Sequence, residues 1–170
     1  MRFVVVLTVN LLSFMMSEVQ SQPTAAVRSP LQTYSFRLRP GQDLKRELEA
    51  VVQQHRIRAG CVVTAVGSLT DVTLRLANQD GPSVWRGHFE IVSLVGTLSV
   101  NGSHLHLSVS DSTGRTLGGH LLDGCLVYTT AEIVIGVLPE LTYSREPDPT
   151  FGYRELVIRR NEKKVKKRRP

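Results

Sequence analysis

Apolar side chains in this chain recur mostly at every second position, the period of a half-buried β-strand. Residues 34–39 alternate and predict a first strand, stopped by Pro40-Gly41. The period then changes once. Asp43 stands where a helix cap is needed, ahead of Leu44, Leu48, Val51 and Val52. That i, i+4, i+7, i+8 spacing predicts a helix to about His55, with Gly60 as its stop. Period two resumes afterwards. Residues 61–66 form a nearly uncharged β-rich run and predict a central strand that ends at Gly67-Ser68. Further strands are expected over 72–76, 89–100, 104–110, 124–137 and 153–160, with loops over 78–82 and over the three-proline segment 139–152. Gly96 inside a strand marks a bulge or a close backbone approach.

One prominent helix and about seven strands without βαβ alternation predict an α+β fold, a single compact domain on a largely antiparallel sheet. One helix cannot cover so many apolar strands, so burial through an oligomer is expected. Three segments follow along the chain: an apolar, signal-like N-terminal stretch and linker over 1–32, a domain over 33–160, and a basic disordered tail over 161–170.

Candidate chemistry converges in residues 104–120, which hold three of the five histidines. His104, His106, Ser108 and Ser110 share one parity, and Leu105, Leu107 and Val109 the other. Residues 111–116 carry turn chemistry. A hairpin centred on Thr113 would pair His106 directly with His120 and leave His104 diagonal on the same face, close enough for three imidazoles to meet one metal ion. A loop one residue longer or shorter would send His120 to the opposite face, and a bulge at Gly118-Gly119 would re-aim it. The other reading is the polar face of an amphipathic strand.

Charge changes the picture only once it is located. The net charge is +6, but residues 159–170 hold eight Lys/Arg against one Glu, so the rest of the chain sums to −1. The folded body is therefore not a basic nucleic-acid-binding surface. Lys163, Lys164, Lys166, Lys167, Arg168 and Arg169 form a tail suited to nonspecific nucleic-acid contact, to nuclear import, or to a merely solvated end. Cys61 and Cys125 fit buried thiols or at most one bridge, and no CxxC pair exists for a cysteine zinc site. Residues 3–16 are apolar after Arg2, and Val19-Gln20-Ser21 resembles a cleavage site. The segment is too short for a transmembrane span. A nuclear or cytoplasmic location is expected, with secretion as the alternative the apolar N-terminus raises.

The ordered set Gly87-His88-Phe89-Glu90-Ile91-Val92-Ser93-Leu94-Val95-Gly96-Thr97-Leu98, the His104-x-His106 strand, Gly118-Gly119-His120-Leu121 and Gly124-Cys125 resembles the PPC (plant-and-prokaryote-conserved) domain, over about residues 33–160. The resemblance is to the stand-alone branch, which keeps these histidines. It implies a homotrimer and a metal site of His104, His106 and His120. Three neutral imidazoles suit zinc, copper, nickel or iron rather than calcium or magnesium, and zinc is the divalent metal expected. The plant branch is associated with DNA binding through an Arg-Gly-Arg-Pro hook, a core this chain lacks. The expected function is an oligomeric, metal-holding binding module, linked to DNA or transcription through its tail. The alternatives are a metal-dependent enzyme acting on a small molecule, with Glu90, Asp123 or Glu132 as general base, and a transcription-linked partner working through protein contacts alone.

Overall fold

A computed structural model describes residues 26–150 and 152–162. The signal-like segment and the six basic tail residues lie outside the described residues. The elements run β1 (Gln32–Leu38), α1 (Leu44–Gln54), β2 (Gly60–Arg75), β3 (Ser83–Leu98), β4 (His104–Asp111), β5 (Thr116–Leu121), β6 (Leu126–Val137), β7 (Leu141–Pro147) and β8 (Arg154–Arg160). Strands β1-β6-β2-β3-β4-β5 form one antiparallel sheet in that order, and β7 and β8 form a second, two-stranded one. This is the α+β architecture expected, with eight strands among the described residues.

The helix forms where its cap and spacing put it. Asp43 Oδ1 accepts from the Lys45 and Arg46 backbone N–H groups at 3.0 and 3.1 Å, and Leu44, Leu48 and Val52 are buried. The other Asp43 oxygen accepts from Gly124 N–H at 2.6 Å, and Leu44 N–H donates to Cys125 O at 2.8 Å. The helix start is thereby stapled to the start of β6. The core gathers α1 with the inward faces of the large sheet, including Leu69, Leu74, Leu107 and Ile133. Each such side chain contributes about 1.5–3 kcal/mol by leaving water.

Two expectations are corrected. Gly67-Ser68 does not end a strand. The runs 61–66 and 72–76 belong to one 16-residue strand, β2, which absorbs register shifts between Gly67 and Leu69 and between Leu69 and Asp71. An extra residue in a bulge lets a long strand bend without stopping. Segment 139–152 is not all loop, because β7 occupies its middle. Its prolines fall before the strand, at its last position and after it, where no ladder N–H is lost.

The bend in β2 positions the site. Its end leaves the central sheet and pairs with β5 through Leu74↔Leu121 and Arg75↔His120. Strands β2 to β5 therefore curl back upon one another, with Leu74, Leu105, Leu107 and Leu121 buried inside.

A candidate metal centre on the β4–β5 hairpin

The hairpin has the register expected of a turn centred on Thr113: Ser110↔Thr116, Ser108↔Gly118 and His106↔His120. The turn is tied by one carboxylate. Asp111 Oδ1 accepts from Thr113 N–H at 2.9 Å, Thr113 Oγ1 at 2.6 Å and Arg115 N–H at 3.0 Å. The Thr113 hydroxyl, followed by the backbone donors, holds this carboxyl below its ordinary pKa. No bulge forms at Gly118-Gly119. Gly119 is instead where β5 passes β2: a Cβ there would stand 2.7 Å from the Arg75 carbonyl oxygen. Gly96 performs the same service on the other side. It has φ +143°, and a Cβ on it would collide with the His104 carbonyl.

Pairing across four strands aligns Val95, His106, His120 and Arg75 in one same-face row. His104, two residues before His106, completes the cluster. His106 Nε2 lies 3.2 Å from His104 Nε2 and 3.1 Å from His120 Nδ1, and His104 Nε2 lies 3.3 Å from His120 Nδ1. His104 and His120 stack, 13° apart, and His106 meets both edge-on.

This triangle can hold a metal ion. Two nitrogens bound tetrahedrally to zinc at about 2.0–2.1 Å stand about 3.3 Å apart, the spacing found. Hydrogen bonding cannot satisfy all three sides. Each neutral ring nitrogen is either a donor or an acceptor, so at least one side of a triangle faces like with like. A central cation satisfies all three lone pairs. Burial first, then the Arg145 guanidinium and His106, holds His104 below the ordinary histidine pKa. Burial first, then Arg75 and the neighbouring rings, does the same for His120. Both shifts favour the neutral, ligating form.

The cluster opens on a cleft of about 1000 Å3, lined by His104, His120, Arg75, Arg145, Tyr153 and Glu155 among others. The cleft exists because the β7–β8 hairpin is anchored over the histidines. Ser99 Oγ, buried, lies 2.9 Å from Arg58 O and 3.1 Å from Tyr143 O. Asn101 Nδ2 donates to the same Tyr143 carbonyl at 2.8 Å.

The three carboxylates expected as bases do not line this cleft. Glu90 and Glu132 are exposed. Glu132 is not buried by its apolar run because β6 alternates, with Ala131 and Ile133 turned inward. Asp123 is engaged by Lys45 at 2.8 Å and Arg46 at 3.2 Å, and the Lys45 hydrogen bond leads in holding its pKa down. The carboxylate beside the cluster is Glu155, whose charge acts on His104 against the prevailing shift. Sequence reasoning missed Arg75, Arg145 and Glu155. The first stands at the end of a strand read as two, and the second in a segment read as loop. Cys61 and Cys125 are free thiols, and burial pushes Cys125 up to about 11. Among the described residues no helix is long and apolar enough to cross a membrane.

A fold of this topology is shared by a solved structure of a plant- and prokaryote-conserved protein from Pyrococcus horikoshii, with a TM-score of 0.63. The profile of the Plants and Prokaryotes Conserved (PCC) domain, the family also written PPC, matches residues 25–139. The chain belongs to that family. A Bifunctional protein GlmU from a Synechococcus strain is 51% identical over 137 residues, which cover 81% of this chain and 22% of that protein. The chain thus spans less than a quarter of that relative. AT-hook motif nuclear-localized protein 13 of Arabidopsis thaliana is 32% identical over 111 residues, 58% of this chain and 25% of that protein. Among solved structures, a hypothetical protein from Salmonella is 48% identical with a TM-score of 0.79, covering 80% of this chain and 99% of that one. A metal-containing protein from Archaeoglobus fulgidus has a TM-score of 0.69 at 22% identity, over 79% of this chain and 99% of that one, and shares the fold.

Proposed function

We propose that this protein is an oligomeric binding module whose centre is a divalent metal, zinc by preference, held by His104, His106 and His120. The observation that carries the reading is the triangle of ring nitrogens at 3.1–3.3 Å. Three nitrogen donors would leave a tetrahedral ion one open position, and two of the three rings, His104 and His120, border the cleft. When bound, the ion supplies a positive charge and a coordination site for a ligand. The working unit is the domain over 33–160.

The module is read as a homotrimer. Val63 and Val66 on β2 and Val92 and Val95 on β3 are each more than half exposed. Large apolar side chains gathered on adjoining strands fit an interface between copies. Three copies would bring three basic tails together, and residues 163–170 would act as a multivalent, salt-sensitive tether to nucleic acid. Some relatives carry a nuclear, AT-hook name, which agrees with this reading and with a nuclear or cytoplasmic setting.

Elemental analysis of purified protein alongside light scattering tests both parts. The expected result is one metal ion per chain and a mass three times the 18.9 kDa chain. Unchanged metal content in a His104→Ala/His106→Ala variant would remove the metal reading, and a monomer at micromolar concentration would remove the trimer. Retention on DNA across a salt series, with and without residues 163–170, tests the tether.

The cleft favours a second reading, a metal-dependent enzyme acting on a small molecule. A metal-bound water of lowered pKa, with Glu155 rather than Glu90, Asp123 or Glu132 as the nearby carboxylate, is what that reading requires.

A further inference from the structure

The cleft beside the histidines carries more positive charge than its own carboxylates neutralise. Its basic side chains are Lys45, Arg75, Arg145 and Arg154, and its acidic ones Glu49, Asp80 and Glu155. Lys45 is already committed, 3.1 Å from Glu49 and 2.8 Å from Asp123. Arg154 directs its guanidinium to the Arg145 carbonyl at 2.6 and 3.0 Å. Arg145 Nη2 returns a hydrogen bond to the Arg154 carbonyl at 2.5 Å, and its nearest carboxylate, Glu155, lies 3.9 Å away, so its charge is not neutralised by close pairing. Arg75 has no carboxylate partner among the described residues, and its one side-chain hydrogen bond among them goes to the Gln79 carbonyl at 3.5 Å. Yet Arg75 is the direct cross-strand partner of His120, on the same face as the cluster.

A half-buried guanidinium with no carboxylate partner, beside His120, is suited to a carboxylate or phosphate oxyanion. The fork can donate two parallel hydrogen bonds while an oxygen of the same group points to the ion. Arg145 approaches from the opposite wall, on β7, and its charge reaches His104. A divalent ion on three neutral imidazoles adds two further positive charges. The assembled site therefore demands an anion, and a cleft of about 1000 Å3 admits a ligand well beyond a simple inorganic ion.

We propose that the cleft binds a small organic anion through its carboxylate or phosphate group, with Arg75 and Arg145 as the recognition residues and the histidine-held metal as third anchor. This rests on the metal reading above and names the ligand class of that site.

The test uses full-length protein loaded with Co2+, whose stoichiometry is measured first. Malonate and methylphosphonate are then titrated in, read by calorimetry and by the visible absorption of Co2+. Both probes should bind and change the spectrum, and the preferred one identifies the ligand as carboxylate- or phosphate-bearing. Arg75→Gln should weaken anion binding about tenfold or more with metal stoichiometry unchanged. Arg75→Lys should recover part of the loss, a response that general misfolding would not give. Arg145→Gln should act in the same direction. Metal loading with anion affinity equal in wild type, Arg75→Gln and Arg145→Gln overturns the proposal. Absence of metal uptake defeats the three-histidine reading by itself. The anion proposal is then judged on the metal-free protein, where binding that ignores Arg75 overturns it as well.

Discussion

The two hairpins that flank the cleft are held by different means. The β4–β5 hairpin takes its register from its own turn, through Asp111, and buries Leu105, Leu107 and Val109 in the main core. The β7–β8 hairpin is joined to the body through a small satellite cluster of Ala59, Leu141 and Tyr143 and through polar anchors at Ser99 and Asn101. Its strands are laced by exposed pairs such as Arg159–Glu146 at 2.6 Å. The first hairpin presents the histidines, and the second supplies Arg145 and Glu155. A rigid ligand set thus faces a wall that is less deeply anchored, a division suited to holding an ion tightly while admitting different ligands.

That contrast breaks most completely at the histidines. Replacing His104 and His106 by Ala should lower metal affinity by well over about 100-fold, beyond what losing an outer-shell partner costs. Metal analysis after dialysis checks this, and the β7–β8 wall should remain folded. The next largest effect lies beneath them. Leu107, 1% exposed, should cost about 2–5 kcal/mol on truncation to Ala, measured by urea unfolding, with metal affinity falling in parallel.

Ser99→Ala tests the other hairpin. It strips a buried hydroxyl from the Arg58 and Tyr143 carbonyls, at a cost of about 1–3 kcal/mol. Hydrogen exchange should rise in β7 and β8 and stay unchanged in β4 and β5. Equal loosening of both hairpins would erase the distinction. Asp43→Ala, outside both hairpins, should cost about 0.5–2 kcal/mol as a lost cap, with no change in metal content.

The smallest effect is one of pH. His104 and His120 hold their protons less readily in the fold than in the unfolded chain. Between the lowered folded value and the ordinary histidine value, the unfolded chain binds more protons. The metal-free protein should therefore be most stable above that window and lose stability as pH falls through it. Urea midpoints across a pH series should show this slope for the wild type and a reduced one for His104→Ala/His120→Ala. Metal uptake should decline over the same range, because protons compete for the ring nitrogens.

Much of the fold was legible in local pattern. Asp43 with Leu44, Leu48 and Val52 specified the helix, and the parity about Thr113 specified which histidine faces which. Where reading failed, the cause was non-local. Gly67 resembles a strand end in sequence, but pairing to β6 on one side and β3 on the other carries β2 through it as a bulge. The prolines around residues 141–147 resemble a loop, but the strand between them is recruited by β8. Glu132, a candidate base within an apolar run, is turned outward by strand parity.

By itself, the sequence determined the class of fold, its single helix and the shared strand face of His104 and His106. These depend on spacing, caps and turn chemistry, which act over a few residues. Only the tertiary structure decided what stands around those histidines. Arg75 lies 45 positions before His120 in the chain, and Arg145 comes 25 after it. They reach the cluster because β2 bends past Gly119 to pair with β5 and because Ser99 anchors β7. Strand pairing and burial, not local periodicity, made a row of histidines into a charged cleft.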